Sequence, residues 1–225
     1  MTIDLHNLNN LLFKTDKKFD VIYADFIYED LDFTWVFHFW DMLKPNGVMI
    51  QQTDYHSVAE IKIFTQRMRN AKFLNWLTWK NEFGNFRKDR FRQCHDDILI
   101  FCNGDNWVWH PEKIQVPKAT ANSKGLNKSG RETKLATSVI TDICLTTIAK
   151  ERVKKDDGHN IRWQKPQALF SRILEPFLDD DHKDILDPFM GSGALGKWAN
   201  NNGYNYTGIE YDEEVFRYAK KNIYG

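Results

Sequence analysis

Cysteine is scarce in this 225-residue chain, and Cys94, Cys102 and Cys144 show no Cys-x-x-Cys pairing. That excludes a disulfide scaffold and leaves no zinc-ligand spacing. His38, His95, His110 and His159 likewise stand without ligand spacing, so no metal is expected. No apolar run approaches the roughly 20 residues of a membrane-spanning helix. The opening MTIDLHNLNN has no basic region followed by an apolar stretch, so the expectation is a cytoplasmic protein without a membrane partner. Net charge is also lacking, with 31 Lys and Arg against 31 Asp and Glu. The balance is uneven along the chain: residues 60–92 carry 9 basic against 3 acidic side chains, and residues 113–165 carry 12 against 5. Two basic blocks in an otherwise acidic chain point to a localised polyanion-binding surface. Aromatic rings are plentiful, at 14% of residues, enough to fill a core and leave flat faces for stacking.

Apolar runs alternate with helical periodicity. Residues 19–24 (FDVIYA, ending at Asp25), 48–51, 72–79, 96–102, 184–187 and 204–210 read as strands. Residues 31–43, 58–70, 166–178, 194–202 and 212–222 read as helices, and 44–47 (KPNG) as a turn. Residues 81–93 mix Phe with Arg and Lys as an aromatic-basic loop. Within 113–160, residues 117–134 read as an extended loop, whereas 135–149 fit a β-rich piece or a short helix equally well. The pattern predicts an α/β fold with a doubly wound, mostly parallel sheet.

The segment Ile185-Leu186-Asp187-Pro188-Phe189-Met190-Gly191-Ser192-Gly193 runs strand, glycine-rich turn, helix, and a second strand ends about 20 residues on in Gly208-Ile209-Glu210. Glycines admit a ligand close to the backbone, and a carboxylate at the neighbouring strand tip accepts from ribose hydroxyls. A dinucleotide fits less well, because the turn lacks G-x-G-x-x-G and Asp187 would repel a pyrophosphate. Asp187 suits a cationic ligand bearing an amino group. With Gln164-Lys165-Pro166 upstream, DPFMGSG and GIE resemble the cofactor half of the amino-methyltransferases that modify exocyclic amines in DNA. Ala194 replaces the usual threonine. The resemblance implies S-adenosylmethionine as cofactor, held by Asp187, Phe189, Gly191, Ser192, Gly193 and Glu210, with Lys165 beside its methionine end.

That family's acceptor motif, Asp-Pro-Pro-Tyr at a strand end, is matched here by Asp25-Phe26-Ile27-Tyr28. The order therefore resembles the circularly permuted (beta-type) subgroup: catalytic half 1–112, inserted recognition lobe 113–160, cofactor half 161–225. MTIDL would supply the strand that otherwise follows the last helix. By this resemblance Asp25 and the Phe26 carbonyl accept the two amine hydrogens and Tyr28 stacks on an extruded base. Phe26 and Ile27 relax the constraint of the lost prolines and add bulk near the pocket. Asp at the first position favours adenine N6 over cytosine N4. DNA is the implied partner, in a restriction-modification setting, with a homodimer or a partner subunit left open. Phosphate contacts fall to Arg87, Lys88, Arg90 and Arg92 and to Lys118, Lys124, Lys128, Arg131 and Lys134. A non-catalytic nucleic-acid-binding subunit is the second reading, and RNA as acceptor a third. The enzymatic reading requires Asp25 to face the glycine turn across a crevice that Phe26 leaves open.

Overall fold

The computed structural model describes residues 1–26, 31–81, 88–119 and 129–225, with the backbone alone at 146 and 147. In chain order the strands are β1 (Ile3–Asn7), β2 (Phe19–Asp25), β3 (Leu43–Thr53), β4 (Ala71–Lys80), β5 (His95–Asn103), β6 (Gln115–Pro117), β7 (Thr133–Leu135), β8 (Val139–Ile140), β9 (Asp184–Asp187) and β10 (Asn205–Glu210). The helices are α1 (Thr34–Trp40), α2 (Val58–Thr65), α3 (Gln167–Leu174), α4 (Ala194–Asn201) and α5 (Glu213–Tyr224). Eight strands form one sheet in the order β1-β10-β9-β2-β3-β5-β4-β8. From β1 to β3 every pairing is parallel; β5 then runs antiparallel to both β3 and β4.

Side chains alternate across the central strands, so each strand supplies two cores. Val21, Tyr23, Ile50 and Ile185 face α3, α4 and α5, where Phe170, Trp198 and Ala219 complete the packing. Ile22, Ala24, Met49 and Leu186 face the other way, toward α1 and α2. Burial on both faces explains why β2 reads as a mostly apolar run, broken only by Asp20 before its closing Asp25. β1 pairs in parallel with β10, Ile3 opposite Tyr206 and Asn7 opposite Glu210, so MTIDL does supply a strand beside the last one.

Several boundaries differ from the sequence reading. The turn at 44–47 is absorbed into β3 as a bulge: Phe19 pairs with Leu43 but Val21 with Val48, and Asn46 takes a φ of 65° to make the excursion. α2 stops at Thr65, and the helix beginning at 167 gives way after Leu174 to a 3-10 turn at Glu175–Phe177, where Pro176 cannot donate to the ladder. Residues 135–149 divide between the two-residue β8, which extends the main sheet beside β4, and a 3-10 turn at Leu145–Lys150. β6 and β7 form a separate antiparallel ribbon. Residues 154–156 dock on α5, with Lys155 Nζ 2.6 Å from Glu214 and the Asp156 N–H donating to the Tyr218 hydroxyl. Among the described residues no helix is long and apolar enough to cross a membrane.

Candidate active site

Three acids stand at the carboxyl ends of neighbouring parallel strands: Asp25 on β2, Asp187 on β9 and Glu210 on β10. β9 lies between β10 and β2, so stretches far apart in sequence become adjacent in the sheet. Open parallel sheets bind ligands at this edge. A cavity of about 580 Å3 opens there, and Asp25, Trp163, Lys165, Asp187, Gly191 and Glu210 are among its lining residues.

The turn after β9 is built to let backbone approach that cavity. Gly191 has a φ of 53° and Gly193 a φ of 72°, a region that side chains rarely enter. A Cβ at Gly193 would lie 2.9 Å from the Ala219 carbonyl oxygen, so the glycine lets α4 start hard against α5. At Gly191 the nearest atom to a Cβ is 3.9 Å away, which leaves the loop open on that side. The Gly191 N–H donates to Glu210 Oε2 at 2.8 Å and the Met190 N–H to the Ile209 carbonyl at 2.9 Å, tying the turn to β10. Ser192 is buried, and its carbonyl accepts from Asn222 on α5. Phe189 lines the cavity and packs its ring 5.2 Å from Trp35.

Asp187 is 2% exposed. Its carboxylate accepts from the Tyr206 hydroxyl at 2.9 Å and the Phe189 N–H at 3.2 Å. Burial pushes its pKa up to about 7; the two hydrogen bonds oppose burial, and the charges of Asp25 and Glu210 reinforce it. A buried carboxyl that holds a proton near neutrality favours a cationic neighbour. Burial also raises the pKa of Glu210, although its oxygens accept from the Gly191 and Asp212 N–H groups. A carboxylate has about four acceptor positions, so capacity remains for hydroxyl donors.

Asp25 is gripped by Lys165, whose Nζ lies 2.7 Å from Oδ2 and 3.0 Å from Oδ1. The same ammonium is 3.8 Å from Asp96. Burial alone would lower the Lys165 pKa, but Asp25 and Asp96 outweigh it and raise the value. Asp96 accepts from Gln52 and Asn81, and Gln52 accepts from the Tyr23 hydroxyl at 2.6 Å. Burial raises the Asp96 pKa against the pull of Lys165. Sequence reasoning missed this network of Tyr23, Gln52 and Asp96, because its members stand on β2, β3 and β5 and no motif links them. Gln164 also lines the cavity, but its amide is engaged in the loop: it accepts from the Val153 N–H and donates to the Glu151 carbonyl.

Phe26 adds no bulk to the cavity, which the enzymatic reading requires to be open on this side. Its ring is 4% exposed and packs 5.2 Å from Trp35 and 6.0 Å from Phe33, outside the cavity lining. The ring packs among Phe33, Trp35 and Phe189, which keeps a large side chain at the strand end clear of the cavity. Tyr28 lies outside the described residues, as do Arg87, Lys124 and Lys128. Lys88, Arg90, Arg92, Arg131 and Lys134 are exposed and Lys118 half-buried. Arg90 pairs with Asp89, and Lys118 bonds to Ser129. None of these six lines the cavity, whereas Arg162 and Trp163, which sequence reasoning passed over, do.

A family model for N6/N4 DNA methylases matches residues 16–221. Curated relatives include the type II methyltransferase M.HinfI of Haemophilus influenzae, 25% identical over 205 residues, covering 89% of this chain and 53% of that protein. The type II methyltransferase M2.LlaDCHI of Lactococcus lactis subsp. cremoris is 26% identical over 185 residues, covering 81% and 62%. The chain thus spans a little over half to about three fifths of the length of these relatives. Among solved structures, the M1.HpyAVI complex with S-adenosylmethionine superposes with a TM-score of 0.71 at 22% identity, covering 98% of this chain and 99% of that one. The cytosine-N4-specific PvuII DNA methyltransferase gives 0.66 at 12% identity, covering 99% and 86%. These likenesses show an α/β methyltransferase fold with a mostly parallel central sheet. By the extent of the family match, the chain belongs to the N6/N4 DNA methylases.

Proposed function

We propose that this protein is an S-adenosylmethionine-dependent DNA methyltransferase acting on an exocyclic amine of an extruded base, adenine N6 ahead of cytosine N4. The observation that carries the reading is that Asp25 and the glycine turn with its two acids line one cavity, and Phe26 stays out of it. The residues fit the cofactor. Asp187, buried with a raised pKa, would hold its amino group, and Glu210 its ribose hydroxyls. Gly191, Ser192 and Gly193 would let it pass close to the backbone, with Phe189 against it and Lys165 at its methionine end. When bound, the cofactor supplies an electrophilic methyl group on a sulfonium.

The chain's own residues act on the amine. An exocyclic amine is a poor nucleophile because its lone pair is delocalised into the ring. Asp25 Oδ atoms and the Phe26 carbonyl would accept its two hydrogens, which favours a pyramidal nitrogen and the developing positive charge. Lys165 fixes the Asp25 carboxylate in place by holding both oxygens. Tyr28 would stack on the base.

The chain order supports the permuted arrangement: the acceptor strand β2 precedes β9 in sequence yet neighbours it in the sheet. We assign 1–112 to the catalytic half, 113–160 to a recognition lobe and 161–225 to the cofactor half. Lys88, Arg90, Arg92, Lys118, Arg131 and Lys134, with Arg87, Lys124 and Lys128, would contact phosphates. The Lys165 grip on Asp25, together with the missing prolines, favours one second reading, a DNA-binding subunit that does not methylate. Incubation of unmethylated DNA with tritiated S-adenosylmethionine, then digestion to nucleosides, separates them. Label in N6-methyladenine supports the first reading, label in N4-methylcytosine corrects the base, and no label leaves the second.

A further inference from the structure

Trp163 sits in a strained backbone conformation that its own packing does not offset. Its φ of 63° puts a bulky residue in the left-handed region, which costs roughly 1–2 kcal/mol for residues other than glycine. The side chain is 80% exposed, so burial offsets none of this. The turn itself is set by the neighbours. The Ile161 N–H donates to the Val153 carbonyl, Gln164 clamps residues 151 and 153, and Lys165 reaches inward to Asp25. Glycine or asparagine would make the same reversal at less strain. The indole is therefore what this position adds.

Trp163 is among the residues that line the cavity described above. The Trp163 carbonyl lies 3.5 Å from Lys165 Nζ, and that ammonium is 2.7 Å from Asp25. Trp163 thus belongs to the Asp25 end of the cavity, and Arg162 beside it, also exposed, adds a cation suited to phosphate at the same rim. Exposed rings beside cations recur where proteins hold unpaired bases, because every base offers a π-face to an aromatic side chain. We propose that Trp163 is a stacking platform for the nucleobase delivered to Asp25. This rests on the reading of the cavity as a DNA methyltransferase site.

The test compares wild type with Trp163→Gly and Trp163→Phe, using a random-sequence single-stranded oligodeoxynucleotide and tritiated S-adenosylmethionine. Trp163→Gly is expected to raise KM for the oligonucleotide by about tenfold or more, while the dissociation constant for S-adenosylmethionine stays within twofold and Tm does not fall. Trp163→Phe is expected to recover most of the loss. A KM for Trp163→Gly within twofold of an active wild type overturns the inference and leaves the enzymatic reading intact. So does a phenylalanine variant as impaired as the glycine one, or an equal loss of S-adenosylmethionine binding, which would assign the ring to the cofactor. A wild type that transfers no label overturns both.

Discussion

Asp187 makes its end of the cavity sensitive to pH. Burial, the largest influence on it, raises its pKa to about 7, against an unfolded carboxyl near 4. Between those values the folded chain binds more protons than the unfolded one. This group's contribution is therefore fully favourable below about pH 4, and stability falls as pH rises toward about 7. A cationic ligand reverses the preference, because it needs the carboxylate. Affinity for S-adenosylmethionine should then weaken below about pH 7, by up to tenfold per unit, and Asp187→Asn should flatten that slope. Calorimetric titration from pH 5.5 to 8 checks this, and a wild-type affinity unchanged at the acid end would count against it. The ion pair at the other end makes a different prediction. Removing one partner of a buried pair costs about 3–5 kcal/mol, so Lys165→Met should lower stability by that order, and Lys165→Met with Asp25→Asn should regain part of it in urea unfolding. These residues were not equally legible in the sequence. Asp187, the glycines and Glu210 could be singled out from a glycine-rich turn and a strand end about 20 residues on, and they line one cavity, whereas Lys165 and Asp25 stand 140 positions apart and only the folded sheet discloses that they touch.

At the scale of elements, the strand-turn-helix after β9 works as a unit. Gly193→Ala would drive a methyl group to 2.9 Å from the Ala219 carbonyl at a φ of 72°. It should destabilise the protein by about 1–3 kcal/mol and weaken cofactor binding as α4 shifts from α5; paired thermal and binding measurements test this. The end of β2 invites a second substitution. Phe26→Pro would bring the proline of the resembled motif to this position but empty the space between Phe33, Trp35 and Phe189. Losing a buried Phe costs about 3–5 kcal/mol, so this variant should unfold earlier and gain no activity in the labelled-methyl assay; higher activity at unchanged Tm would overturn that expectation. The central strands were plain in the sequence because burial on both faces leaves short, mostly apolar runs. Helix ends were less plain: nothing in VAEIKIFTQRMRN marks a stop at Thr65, and the bulge at 44–47 follows from its pairing with β2, which a turn-like KPNG does not announce.

For the whole molecule, zero net charge conceals the exposed cations at Lys88, Arg90, Arg92, Arg131 and Lys134. If they meet phosphates, affinity for DNA should fall linearly on a log-log plot against salt, and Lys88→Ala, Arg90→Ala and Arg92→Ala together should flatten the slope by about 3. Fluorescence anisotropy at several salt concentrations measures it, and an unaltered slope would exclude that loop from the interface. Charge counts exposed the blocks, but not their distance from the cavity, which depends on how the chain folds back. The pairing of β1 with β10 has a consequence of its own in time. Ile3 waits for Tyr206, 203 positions later. During synthesis the first strand emerges long before its mate exists, so this sheet edge closes last and slowly, as contacts of long sequence separation do. Until then the first strand has no partner, and a ribosome-bound chain stalled before residue 205 should leave residues 3–7 open to protease.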